Sequence, residues 1–214
     1  MSTTPNIQKG LYFTVEGGEG CGKSTAIAAI KTAIGECLTM REPGSTPLAE
    51  KVRHVLQVVD GCPMNSLSEF ALFWAARFST IHEIVVPELD KGRTVISDRC
   101  AASTWAYQIR GRQLSELAEP FWAFWKILPR TPDLYVFLDL EPEEGLRRIF
   151  TTRLDEISRI DSESIDFHRR VREGYVEFFS LMPPEKVVRI DASQSREAVS
   201  EAVADAIRGF SAPT

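Results

Sequence analysis

Residues 17–24 read Gly17-Gly18-Glu19-Gly20-Cys21-Gly22-Lys23-Ser24, followed by Thr25, a full G-x-x-x-x-G-K-[ST] pattern between an apolar run and a helix-forming one. Glycines at that spacing let backbone N–H groups turn inward around a polyphosphate, and the helix that follows adds the positive end of its dipole. Lys23 would reach the β- and γ-phosphates, and the Ser24 hydroxyl would ligate Mg²⁺. The pattern predicts an ATP-type site over Gly17–Thr25, but by itself it does not choose between an ATPase, a GTPase and a kinase.

A second substrate has to be sought in other charged motifs. Arg41-Glu42-Pro43-Gly44-Ser45-Thr46 follows one strand-like run and Asp98-Arg99 follows another. Both would lie at the carboxyl ends of strands, where open parallel sheets bind ligands. An aspartate there can hold a magnesium shell, and an arginine can grip a phosphate with two charge-assisted bonds. Taken singly such pairs are usually surface ion pairs, and their shared placement is what argues for a site.

The elements that must position these residues are legible as alternation. Strand-like runs recur at Leu11–Glu16, Cys37–Arg41, Arg93–Ser97, Leu134–Leu140 and Val187–Ile190, each followed by a segment that can be helical. Helices are expected over Ser24–Gly35, over one long run Ser66–Lys91, and over Glu143–Arg153 after Pro142. The pattern predicts an α/β fold of the P-loop NTPase type, a five-stranded parallel sheet flanked by helices. The charged segment Thr151–Asp161 lacks an apolar period and is the expected core of a short lid at about 147–161; the tail after Arg208 is expected to fray.

At 214 residues, with no repeat and no Gly/Ser/Pro-rich linker, a single domain spanning 1–214 is expected. Net charge −5 argues against a broad footprint for polymeric nucleic acid or an anionic membrane. The polar start MSTTPNIQKG lacks the apolar stretch of a signal peptide and no run is long enough to span a bilayer, so a cytoplasmic protein is expected. Cys21, Cys37, Cys62 and Cys100 form no C-x-x-C pair and do not cluster with His54, His82 and His168, which points to buried reduced thiols.

In order along nearly the whole chain stand Glu16-Gly17 through Thr25, Arg41-Glu42-Pro43-Gly44-Ser45-Thr46-Pro47-Leu48-Ala49-Glu50, Leu72-Phe73-Trp74-Ala75-Ala76-Arg77, Asp98-Arg99, Ser103-Thr104-Trp105-Ala106-Tyr107-Gln108, Pro132-Asp133-Leu134 and Ser162-Glu163-Ser164-Ile165-Asp166-Phe167. This series resembles the thymidylate kinase family. The resemblance implies that Glu19 contacts the 3′-hydroxyl region of an acceptor sugar and that Arg41 and Arg99 hold its phosphate. It implies that Phe73 stacks on a pyrimidine whose polar edge meets Arg77, Ser103 and Gln108, and that Tyr107 crowds the 2′ position to favour deoxyribose. Pro43, Asp98 and Thr104, in the same motifs, complete the implied acceptor site.

The family has one variant with an arginine inside the phosphate loop and another with arginines in the lid; Gly20 occupies the loop position here, so this chain resembles the second. Arg147, Arg148, Arg153 and Arg159 are then the lid candidates, with Arg153, just before the charged segment, expected to be catalytic beside Lys23 and Arg99. Asp191-Ala192-Ser193-Gln194 resembles the family's adenine-contacting loop, with Ser193 assigned to ATP. Ser158, Ser45 and Cys100 depart from the family's usual residues, and the last two adjoin the acceptor pocket. The expected activity is transfer of the γ-phosphate of MgATP to dTMP by a homodimer. A kinase for another or C5-modified deoxynucleotide such as 5-hydroxymethyl-dUMP is the first alternative, and a non-enzymatic P-loop switch the second.

Overall fold

The computed structural model describes residues 10–57, 64–152 and 159–211. Five strands, β1 (Tyr12–Glu16), β2 (Leu38–Arg41), β3 (Val95–Asp98), β4 (Leu134–Asp139) and β5 (Val187–Asp191), form one sheet in the order β2-β3-β1-β4-β5. All neighbours are parallel. The expected α/β sheet is therefore present, with strand ends within two residues of the sequence reading.

The helices are α1 (Lys23–Ile34), α2 (Pro47–Gln57), α3 (Ser66–Thr80), α4 (Val86–Asp90), α5 (Ala101–Thr104), α6 (Ala118–Lys126), α7 (Pro142–Thr152), α8 (Ile165–Ser180) and α9 (Arg196–Ser211). Among the described residues none is long and apolar enough to cross a membrane.

Strand periodicity explains how the sheet is covered. Along β4, Tyr135 and Phe137 point into an aromatic cluster with Phe70, Trp74, Trp105, Phe121, Tyr175 and Phe178, whereas Leu134, Val136 and Leu138 point to the opposite face. There they meet Phe13, Val15, Ile30, Val203 and Ile207 from β1, α1 and α9. A strand buried on both faces reads as a continuous apolar run, and LYVFLD does.

Three details differ from the sequence reading. The long helix expected over Ser66–Lys91 is interrupted by a π-helical turn at Ile81–Val85. Pro87, just beyond it, lacks the N–H that a regular helix would need, and the wider turn absorbs the mismatch. Helix α9 continues to Ser211, three residues past the expected fraying point, because Val203, Ile207 and Phe210 pack on the sheet. Among the cysteines, Cys21 and Cys100 are buried free thiols and Cys37 is only half-buried, while Cys62 lies outside the described residues.

Candidate active site

Strand β1 has β3 on one side and β4 on the other, so the connections diverge at its carboxyl end and open a crevice there. The glycine loop fills that opening and passes directly into α1. Gly20 takes a left-handed conformation (φ 71°) against the backbone of Gly145 on α7; a Cβ at position 20 would stand 2.1 Å from the Gly145 carbonyl oxygen. A Cβ at Gly145 would in turn stand 2.3 Å from the Glu19 carbonyl oxygen. Loop and helix approach this closely only because both residues lack side chains.

Lys23 folds back over the loop, its Nζ donating to the carbonyls of Gly17 (3.2 Å) and Gly18 (3.1 Å). Parallel register sets Asp98 beside Val15 of β1 and beside Arg41 of β2, so the three strand ends deliver their polar residues to one place. Asp98 Oδ1 is buried and has no hydrogen-bond partner among the described residues. Arg41 Nη2 donates to both oxygens of Glu50 at 3.1 Å, and Arg53 Nη1 reaches the Pro43 carbonyl at 3.1 Å.

Arg99 is the centre of the site. Its backbone is left-handed (φ 72°), an unfavourable state for a side-chain-bearing residue that costs on the order of 1–3 kcal/mol and clusters at functional positions. Its Nη2 donates to Glu19 Oε1 at 2.5 Å, and Nη1 to the Gly17 carbonyl, Ser103, Tyr107 and Tyr175 at 3.1–3.3 Å. Tyr107 donates its hydroxyl proton to the same Glu19 oxygen at 2.6 Å. Below this layer the fully buried Glu16 accepts from the Cys100 N–H (2.6 Å), Ser103 Oγ (2.7 Å) and Tyr175 OH (3.0 Å), which ties β1 to α5 and α8.

Burial would raise the Glu19 carboxyl, but the charges of Arg99 and Lys23 and the Tyr107 hydrogen bond outweigh it and hold the group at about 2, against an ordinary 4.5. A folded value below the unfolded one means that Glu19 stabilises the native state fully above about pH 4.5. The contribution is lost as pH falls toward about 2, and the difference amounts to about 3 kcal/mol. In acid titrations the wild type should therefore lose stability more steeply than Glu19→Gln between those values. Parallel loss in the two proteins would show that Glu19 is not held this way.

On α3 a stripe at i, i+4 and i+8 brings Glu69, Phe73 and Arg77 to one face. Arg77 is 3% exposed and donates from Nε to the equally buried Glu42 (2.7 Å) and from Nη2 to the Cys100 carbonyl (3.1 Å); its guanidinium lies 4.8 Å from the Trp74 ring centre. Burial pushes the Glu42 carboxyl up, only partly countered by Arg77. Tyr107 and Gln108 sit in a π-helical turn, Trp105–Gly111, that continues α5. Such turns recur at functional sites because the extra residue re-aims side chains.

These groups line one cavity of about 970 Å³. Its wall includes Glu19–Thr25, Arg41, Pro43, Phe73, Arg77, Asp98, Arg99, Ser103, Thr104, Tyr107 and Gln108 from the sequence reading. Gly17 and Gly18 contribute the carbonyls over which Lys23 lies. Ser193 stands between the wall residues Ala192 and Gln194, with its N–H bound to Asp191 Oδ1 (2.9 Å). Arg148 and Arg159 reach the wall, whereas Arg147 pairs with Glu144 on the exposed face of α7. Arg153 lies outside the described residues. The end of the expected lid is tied to the body, since Ile160 packs on the aromatic cluster, Asp161 is buried and Arg159 pairs with Glu69.

Sequence reasoning missed Arg53, Glu69 and Arg196 on the wall and the Glu16–Tyr175 support beneath it. The α3 stripe could have revealed Glu69, since Phe73 and Arg77 were already singled out at its spacing.

A glycine loop between the switch-point strand and a helix, facing an arginine-lined second pocket in the same cavity, defines a P-loop phosphotransferase of the nucleoside monophosphate kinase class. The thymidylate kinase family model matches residues 15–203, and the chain belongs to that family. It is 38% identical over 202 residues to the thymidylate kinase of Acholeplasma laidlawii, covering 92% of this chain and 98% of that one. It is also 39% identical over 208 residues to that of Halalkalibacterium halodurans, covering 94% and 96%. The crystal structure of thymidylate kinase from Ehrlichia chaffeensis superposes with a TM-score of 0.72 at 25% identity, over 94% of this chain and 99% of that one.

Proposed function

We propose that this chain transfers the γ-phosphoryl group of MgATP to the 5′-phosphate of dTMP, giving dTDP and ADP. The observation that carries this is the single cavity joining the glycine loop and Lys23 to the Phe73, Arg77 and Gln108 face, with Arg99 between them. An acceptor phosphate oxygen attacks the γ-phosphorus as the bond to the β,γ-bridging oxygen breaks. The nucleophile is already anionic, so no general base is required, and in-line positioning and charge neutralisation do the catalysis.

Lys23 would leave the loop carbonyls for the β- and γ-phosphates. Arg99 and Arg41 would hold the acceptor phosphate, Glu19 the sugar, and Tyr107 the 2′ side of the deoxyribose. Phe73 offers a flat apolar face to the base, with Arg77, Ser103 and Gln108 at its edge. Asp98 Oδ1, unpartnered among the described residues, and Ser24 on the wall of the same cavity would hold a hydrated magnesium ion together with the bound phosphates. That ion would neutralise charge on the transferred group. On the ATP side, Ala192, Ser193, Gln194 and Arg196 surround the expected adenine. Arg153 remains our choice for the lid arginine; comparing kcat of Arg153→Ala with that of Arg148→Ala and Arg159→Ala decides the assignment.

The two departures near the pyrimidine 5-position separate here, because Cys100 is on the cavity wall and Ser45 is not. One methyl in an apolar pocket is worth only about 1–3 kcal/mol, so dTMP should lead, dUMP follow, and 5-hydroxymethyl-dUMP be accepted. Measured kcat/KM values for these beside dCMP, dGMP and dAMP test the assignment. A preference for dCMP or a purine would refute it; a lead for the hydroxymethyl compound would change the acceptor and keep the reaction. We place the enzyme in the cytoplasm as a homodimer, α3 presenting the exposed Leu67 on its outer face. Sedimentation as a monomer at assay concentrations would remove the dimer.

A further inference from the structure

Glu69 and Gln108 come from α3 and the turn after α5, and both are buried in the cavity wall. Gln108 Nε2 donates to Glu69 Oε1 at 2.9 Å. The other carboxylate oxygen accepts from Arg159 Nη2 at 2.9 Å, and Arg112 Nε lies 3.8 Å from Oε1. Arg112 is itself anchored to Glu163 at 2.6 Å and lies over the Phe167 ring.

An amide side chain has one end that donates and one that accepts, whereas a carboxylate flanked by guanidinium groups only accepts. Glu69 therefore determines which way round Gln108 sits. Its contact commits Nε2 to the wall and leaves Oε1 as the end available to a bound base.

We propose that Glu69 is a positioning residue for pyrimidine selection, fixing Gln108 so that an acceptor oxygen faces the base. The proposal rests on the assignment of Gln108 to the base edge. Thymine and uracil carry a hydrogen on ring N3 and can donate to that oxygen. Cytosine has a bare acceptor at N3, so two acceptors would face each other in a buried site and neither would be satisfied. Anchoring through Arg159 and Arg112 gives the carboxylate a fixed place from which to impose this choice.

The test is the ratio of kcat/KM for dTMP to that for dCMP in the wild type, Glu69→Gln, Gln108→Leu and the double variant. A glutamine at position 69 both donates and accepts, which frees the Gln108 amide to turn. The ratio should fall about tenfold, mainly through KM, from the loss of one oriented hydrogen bond. Gln108→Leu should lower it as well, and adding Glu69→Gln to that background should change it no further.

If Gln108→Leu lowers the ratio while Glu69→Gln leaves it intact, Glu69 is only structural and the proposal falls with the base assignment standing. A further drop in the double variant also overturns it, since Glu69 would then act by another route. An intact ratio in Gln108→Leu removes the base assignment itself, and the proposal with it. Should Glu69→Gln not fold, exchange of the Gln108 Nε2 protons in the wild type gives the answer by NMR. They should exchange equally slowly with and without dTMP; protection gained only on dTMP binding would mean that Nε2 faces the base and would overturn the proposal.

Discussion

Replacing Lys23 with methionine is expected to abolish phosphoryl transfer while leaving the fold intact. In the structure the ammonium rests on the carbonyls of Gly17 and Gly18, on a half-buried side chain, so its removal uncovers two acceptors beside the open cavity where water can reach them. The folding cost is therefore small. The catalytic cost is not, because in the proposed reaction this would be the point charge on the β- and γ-phosphates. Losing such a contact costs several kcal/mol, or about 10²- to 10³-fold in kcat. Turnover should be read beside circular dichroism and melting temperature. Retention of more than about a tenth of wild-type turnover in a folded variant would count against the role of Lys23.

Arg99→Lys should have an effect of comparable size, and it isolates geometry from charge. The guanidinium holds Glu19 with one nitrogen and three hydroxyls and a loop carbonyl with another, with its central carbon 5.1 Å from the Tyr107 ring centre. A lysine keeps the positive charge that Glu19 needs but cannot reproduce the fork that would grip a phosphate from two sides. We expect kcat to fall about 10²- to 10³-fold with a much smaller change in KM for ATP. Arg99→Ala is less informative, because removing one partner of a half-buried ion pair costs about 3–5 kcal/mol of stability in its own right. A lysine variant with near-wild-type kcat would remove Arg99 from the transferring end of the cavity.

Much of this was legible in the residues, for identifiable reasons. The glycine loop could be read because polyphosphate binding requires particular residue types at fixed spacing within one short segment. The inner strands β1, β3 and β4 could be read because burial on both faces makes each a largely apolar run, as in LYVFLD, whereas the edge strands β2 and β5 are partly exposed and were read from their β-branched and apolar residues alone. Tertiary partnerships carried no such local signature. Glu42 was legible only as a member of the Arg41–Thr46 motif; it is 4% exposed because Arg77, 35 positions away in sequence, comes to meet it. Tyr175 carried no signal in the sequence, yet its hydroxyl joins Glu16 to Arg99. Ser45 stood out only as an unusual residue; its left-handed backbone (φ 75°), with its N–H bound to Glu50, shows why a small residue belongs there.

The contact between Gly20 and Gly145 bears on how sequences of this kind can change. Any side chain at position 20, arginine included, must first displace the backbone of α7, and any side chain at 145 must displace the loop. The two sites are therefore epistatic: neither can be exchanged alone without moving the other's main chain. Placing a cation in the loop at position 20 is not a one-step mutational path from this sequence. It demands a prior or simultaneous shift in how α7 docks, so chains with this glycine pair are held in their present arrangement by a valley between two workable ones.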